Sequence, residues 1–221
     1  MTDGIRPDAT LPVGPPVDDP TPAQAPEPRI LEGQFVTLLP LDAARDGAEL
    51  YRISHPAGDP GDLWTYMGYG PFDDAGAMRI WLDEQEGKRD PLFFTVIDRE
   101  TERAIGMTSM QNIVPAMQRL EIGHIWFGAA SQQTEANTEA AYLLLGEAFD
   151  NLGYRRVEWK CETLNARSRR AALRLGFRPE GIFAKHMIVK GRNRETAWFS
   201  INDDEWPEVR RNQALWLYEE S

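Results

Sequence analysis

Leu120-Glu121-Ile122-Gly123-His124-Ile125-Trp126-Phe127 is dense in β-branched and aromatic residues. It reads as a strand with a glycine in its middle, where a bulge or a close backbone approach is expected. The residues after it set its context. Positions 128–137 are polar. From about Thr138 to Asn151 the residues Ala141, Leu144, Leu145, Ala148 and Leu152 recur on one helical face, and Gly153 supplies the stop. Arg156-Val157-Glu158-Trp159-Lys160-Cys161 then alternates as a second strand. Strand, helix and strand in this order form a crossover unit, and that unit is the centre of the predicted fold.

Reading outward, Asn165 can cap a helix with Ala171, Ala172 and Leu175 inward and Gly176 at its end. Strands follow over 181–189 and 195–201, joined by the turn Lys190-Gly191-Arg192-Asn193. Upstream, Phe35 to Leu39 reads as a strand ended by Pro40, and Asp42 can cap a helix through about Ile53. A loop over 58–71 carries Trp64, Tyr66, Met67 and Tyr69. A second helix starts at Asp73 or Asp74, with Ala77, Ile80 and Trp81 as its apolar stripe, and strands over 92–97 and 104–110 complete the pattern. The fold class is α/β: one domain with a mixed, mostly antiparallel sheet flanked by helices. The domain spans 30–206. Residues 1–29 hold prolines at 7, 12, 15, 16, 20, 22, 26 and 28 and form an extended or disordered arm. Residues 207–221 form a helical tail whose Trp216 and Leu217 are available for docking.

The 221 residues carry 24 Lys+Arg against 35 Asp+Glu, a net charge of −11. A field of that sign disfavours nucleic acid and anionic membrane and mildly favours cationic partners. No apolar run is long enough to span a bilayer, no signal peptide is visible, and Cys161 is the one cysteine. The expected location is therefore the reducing cytoplasm. Cysteine pairs, Gly-x-x-x-x-Gly-Lys and a strand-borne Gly-x-Gly-x-x-Gly are all missing, so zinc, P-loop and dinucleotide chemistry find no support, and no metal is expected.

Several motifs, in order, resemble the GNAT superfamily of N-acetyltransferases, and within it the RimJ/RimL-like group. Leu120 to Phe127 looks like the family's fourth strand, beside the acetyl group. Asn137-Thr138-Glu139-Ala140 with Leu143-Leu144-Leu145 is similar to the end of the pyrophosphate loop and its helix. Gly153-Tyr154-Arg155-Arg156-Val157-Glu158 resembles the entry to the fifth strand. Asn165-Ala166-Arg167-Ser168, closing on Leu175-Gly176-Phe177, is similar to the Asn-led helix with its Gly-Phe exit, and Gly191 to Thr196 resembles the last hairpin. The resemblance implies a sheet splayed at its central strands. It also implies acetyl-coenzyme A as co-substrate, an amine acceptor (small molecule or peptide), and a homodimer.

It further assigns residues. Gln132, Gln133, Thr134, Glu135, Ala136, Asn137 and Thr138 would hold the pyrophosphate at a helix N-terminus, which offers unpaired N–H groups and partial positive charge. Two family glycine or alanine positions are here Glu135 and Asn137, and a carboxylate at Glu135 is tolerable there only if it turns to solvent. Ile125, Trp126 and Phe127 would lie along the cofactor, with a backbone N–H near Ile125 or Trp126 for the carbonyl oxygen. Glu121 is the base candidate. Ser168 is the candidate acid for the thiolate, because the family's usual tyrosine is here Ala172. Asn165 and Ser168 share a helix face toward the pantetheine arm. Tyr66 and Tyr69 would line the amine pocket. His124, three residues past Glu121, should face the opposite side and pack structurally, unless a bulge near Gly123 resets the alternation. Arg167, Arg169, Arg170 and Arg174 make the following helix basic, with one of them a candidate partner for an adenosine phosphate. The departures at Glu135, Asn137 and Ala172 keep two other readings open: a non-catalytic acyl-coenzyme A binding domain, and an interaction protein without the cofactor.

Overall fold

The computed structural model describes residues 11–58, 61–132 and 134–219. At its centre, β5 (Arg119–Phe127) and β6 (Arg156–Glu162) run parallel, and every other neighbouring pair in the sheet is antiparallel. The other strands are β1 (Leu31–Glu32), β2 (Val36–Pro40), β3 (Leu92–Asp98), β4 (Arg103–Val114), β7 (Arg178–Val189) and β8 (Arg192–Asn202). The sheet order is β1-β2-β3-β4-β5-β6-β8-β7. The helices are α1 (Ala43–Ser54), α2 (Ala75–Gln85), α3 (Glu135–Gly146), α4 (Ala166–Arg174) and α5 (Trp206–Tyr218). A π-helical turn, Glu147–Asn151, extends α3.

Two cores sandwich the sheet. The larger packs Leu38, Phe94, Ile122, Val157, Trp159 and Phe127 against Leu144 and Leu145 of α3 and Ala172 of α4. The smaller packs Leu50 of α1, Met78 and Leu82 of α2 and Trp64 against Phe93, Met107 and Trp126. The predicted caps hold: Asp42 accepts from the Arg45 amide at 2.9 Å, Asp74 from Ala77 at 2.7 Å, and Asn165 from Ser168 at 3.0 Å. The Lys190–Gly191 turn is tighter than predicted. Both residues have positive φ, at 48° and 72°, the geometry of a two-residue hairpin turn, so Arg192 and Asn193 already belong to β8.

Three expectations are corrected. α3 starts at Glu135 rather than near Thr138, because the polar residues Glu135 to Thr138 form its first turn. The buried stripe of α2 is Met78 and Leu82, and Ile80 is exposed. Trp206 and Leu217 are buried against their own domain, so α5 is docked rather than free, although Trp216 remains 41% exposed. From Leu11 the described arm has no helix or strand. It lies on the domain through Ala23 N–H to Pro115 O and Gln24 N–H to Leu152 O.

One buried carboxylate ties the layers together. Glu139 of α3 is wholly buried. It accepts backbone N–H groups from Gln34, Phe35 and Val36, each at 2.7 Å, and the Tyr218 hydroxyl at 2.8 Å. It thus satisfies the entry to β2 and fastens α5 to α3. Gly33 permits this approach, since a Cβ there would sit 2.3 Å from a Glu139 carboxylate oxygen.

Candidate active site

β5 and β6 pair only at Arg119–Arg156, Leu120–Val157 and Glu121–Glu158, after which no ladder joins them. The strands splay at Glu121. That carboxylate is 1% exposed and takes three donors: Gln111 Nε2 at 2.6 Å, Asn112 Nδ2 at 2.7 Å and Lys160 Nζ at 2.9 Å. Burial raises its pKa, and Lys160, Asn112 and Gln111 oppose the rise.

Beyond Glu121 the strand bulges. Ser109–Gly123 and Met107–Trp126 are register partners, so β5 advances three residues while β4 advances two. Ile122 therefore packs in the larger core and Trp126 in the smaller, although four residues apart in a regular strand share a face. His124 adopts φ 51° in this bulge. Its ring lies 4.8 Å from Phe93 and 5.5 Å from Tyr69, on the α1/α2 face. The expectation that His124 faces away from Glu121 is thus overturned: the extra residue turns both to one side. Burial first, and then the Lys160 charge, push the imidazole pKa down to about 4, so it is neutral near pH 7. Neither ring nitrogen has a hydrogen-bonding partner among the described residues.

Gly123 holds this arrangement open. A Cβ there would meet Gln111 Nε2 at 2.1 Å. Gly123→Ala should expel the Gln111 amide from Glu121 and destabilise by about 1–3 kcal/mol. Urea denaturation of Gly123→Ala, Gln111→Ala and the double variant checks this. The double should cost less than the sum, because both changes break one contact.

Lys160 reaches Glu121 from across the splay and lies 5.4 Å from the Trp198 ring centre. Its side of the sheet was legible in the alternation, since Trp159 and Cys161 face the larger core and leave Lys160 to the other side. Gln111 and Asn112 carried no such signal, because only register brings them to Glu121. The loop before α2 closes over the opening. Tyr66 donates to Leu164 O at 3.2 Å and Lys190 to Trp64 O at 2.8 Å. Tyr69 stacks on Trp81 at 4.1 Å with its hydroxyl buried, and burial pushes its pKa well up.

At the other mouth, α3 begins without a side-chain cap. Thr134 Oγ1 donates instead to Ser131 O at 3.0 Å, as does Asn137 Nδ2, and Gln132 Nε2 donates to Phe127 O at 3.1 Å. Asn137 N–H donates to Thr134 O at 3.2 Å, and a helix N-terminus without a side-chain cap is of the kind that suits an anion. Glu135 is exposed, while Ala136 and Thr138 are buried. Gln133 lies outside the described residues.

The matched family model is described as "Acetyltransferase (GNAT) domain" and spans residues 36–178. The chain belongs to the GNAT acetyltransferase family. A GCN5-related N-acetyltransferase from Brucella melitensis is 44% identical, with a TM-score of 0.87 over 90% of both chains. A Bacillus licheniformis protein named "Uncharacterized N-acetyltransferase p20" is 28% identical over 148 residues, 65% of this chain and 81% of that one. A Bacillus subtilis (strain 168) relative, named provisionally as the ribosomal N-acetyltransferase YdaF, is 29% identical over 101 residues, 46% of this chain and 55% of its own. These names agree with the RimJ/RimL-like group.

The GNAT assignments can now be placed. Trp126 and Phe127 are committed to the two cores and Ile125 packs on the larger, which leaves their backbone for any cofactor role. Ser168 Oγ accepts the Trp159 indole N–H at 3.0 Å, and its hydroxyl also lies within hydrogen-bonding reach of the Cys161 thiol. Asn165 is occupied as a cap. Arg174 donates to Thr138 Oγ1 at 2.5 Å and lies over Trp216, while Arg167, Arg169 and Arg170 are exposed. Cys161 is buried, which raises its thiol pKa and makes it a poor nucleophile. Among the described residues no group of His, Cys, Asp and Glu could hold a metal ion, and no helix is long and apolar enough to cross a membrane.

Proposed function

We propose that this acetyltransferase moves an acetyl group from acetyl-coenzyme A to a primary amine, on a small molecule or a protein N-terminus, by direct attack. The observation that carries this reading is the splay itself. It sets a buried Glu121–Lys160 pair and a neutral His124 on one side, and an uncapped helix N-terminus on the other.

The residues fit coenzyme A. The amides of the first α3 turn suit its pyrophosphate, and the outward turn of Glu135 keeps a carboxylate away from it. Asn165 and Ser168 flank the arm, and the backbone at Ile125 or Trp126, past the end of the β6 ladder, is available to a carbonyl oxygen. Acetyl-coenzyme A supplies an acyl group on a good thiol leaving group. The protein's part is proton handling. Glu121 takes the amine's proton through water, and Ser168 returns a proton to the sulfur. Tyr66 and Tyr69 wall the acceptor side. The reaction forms the amide C–N bond, breaks the C–S bond and releases the thiol. The chain works in the cytoplasm, apart from nucleic acid and membrane, and α5 offers Trp216 to a second copy.

The departures from the family's pattern at Glu135, Asn137 and Ala172 favour one second reading, a non-catalytic acyl-coenzyme A binding domain. Titration calorimetry with acetyl-coenzyme A, followed by thiol release over an amine panel, separates the two. The proposal expects micromolar binding and turnover. Binding without thiol release from any amine supports the second reading, and no binding at millimolar ligand removes both. Glu121→Gln should lower kcat by about 100-fold, and an unchanged pH–rate profile would remove Glu121 as the base.

A further inference from the structure

We propose that the acceptor is an amine bearing its own anionic oxygen group, a carboxylate or a phosphate, and that Arg194 recognises it. The inference rests on the acetyl-transfer reading and gives it a substrate class.

The far wall of the splay carries it. β6 and β8 are in unbroken register from Arg156–Asn202 to Glu162–Thr196, so Lys160 and Trp198 are partners. By strand alternation Arg194, Thr196 and Trp198 project to the same face. Two hydrogen-bond donors there are buried without an acceptor among the described residues: Arg194 Nε and Trp198 Nε1. Thr196, between them, is already engaged with His186 Nδ1 at 2.9 Å. Buried donors of this kind call for acceptor oxygens, and a guanidinium suits a carboxylate or phosphate through paired N–H groups.

Charge points the same way. The groups facing this opening are Lys160, Lys190 and Arg194 against Glu121 and Glu162. Glu121 is neutralised by Lys160. Glu162 is 9% exposed, accepts the Thr163 hydroxyl at 3.0 Å and makes no ion pair among the described residues. The excess here is cationic, in a chain whose net charge is −11. A polycationic acceptor would therefore meet repulsion in the cleft, despite the attraction the whole protein's field exerts on it. Phe183, 51% exposed and 5.2 Å from Trp198, adds an apolar flank.

The test uses matched amines with saturating acetyl-coenzyme A: L-phenylalanine against phenethylamine, and O-phosphoethanolamine against ethanolamine. In at least one pair the anionic member should have about tenfold higher kcat/KM, carried mainly by KM, and Arg194→Gln should collapse that ratio. Equal or better turnover of the neutral members in both pairs overturns the proposal, as does a ratio that survives Arg194→Gln. A binding arm keeps the two readings distinguishable. N-acetyl-L-phenylalanine and O-phosphoethanolamine are titrated onto the coenzyme A-loaded protein. Binding lost in Arg194→Gln supports the anion site even if no amine is acetylated, and absence of binding by both overturns it.

Discussion

Glu139→Ala should cost about 3–5 kcal/mol and lower the melting temperature by about 10 °C, with the family's chemistry untouched at the residue itself. The carboxylate is wholly buried and serves three backbone N–H groups and the Tyr218 hydroxyl. Removing it takes the acceptor from the buried Val36 N–H and from three part-buried donors at once. The damage falls on the β1–β2 turn and on α5 together, because one side chain holds both. Glu139→Gln keeps one acceptor oxygen but turns an NH2 toward N–H donors, so it should cost about 2 kcal/mol. Gly33→Ala should resemble Glu139→Ala, since its Cβ would occupy the carboxylate's place. Thermal denaturation of the three variants checks the ranking. A Glu139→Ala protein that melts with the parent would show that the turn finds other acceptors.

Lys160→Met should lower kcat/KM by about 100-fold or more. The ammonium 2.9 Å from Glu121 is the main influence opposing the burial-driven rise of that carboxyl's pKa. Without it only Asn112 and Gln111 oppose the rise, so Glu121 holds its proton to higher pH and accepts one from the amine less readily. The acid limb of kcat/KM should therefore move to higher pH. Stability follows with a definite sign. A carboxyl whose folded pKa lies above its unfolded value binds protons better when folded. Its folded form is thus favoured at low pH, and that advantage is lost as pH rises through the folded pKa. Lys160→Met should accordingly lose more stability at pH 8 than at pH 5. His124, relieved of the Lys160 charge, should titrate above its present value of about 4. An acid limb that stays in place in Lys160→Met would remove the Glu121–Lys160 pair from proton transfer.

The sequence by itself determined the elements and their order. Periodicity located the helices, β-branched runs located the strands, and Asp42, Asp74 and Asn165 marked helix starts because an N-cap acts within three residues of itself. It also determined that 120–127 and 156–161 lie at the centre, and it named Glu121. Only the tertiary structure decided what surrounds Glu121. Gln111 and Asn112 reach it through β4–β5 register, Lys160 through a three-pair parallel ladder that then opens, and His124 through one extra residue in β5. The physical reason is one of range. Capping and amphipathic period are local and repeat along the chain, whereas a bulge inverts every side chain beyond it, and whether one forms depends on the partner strand.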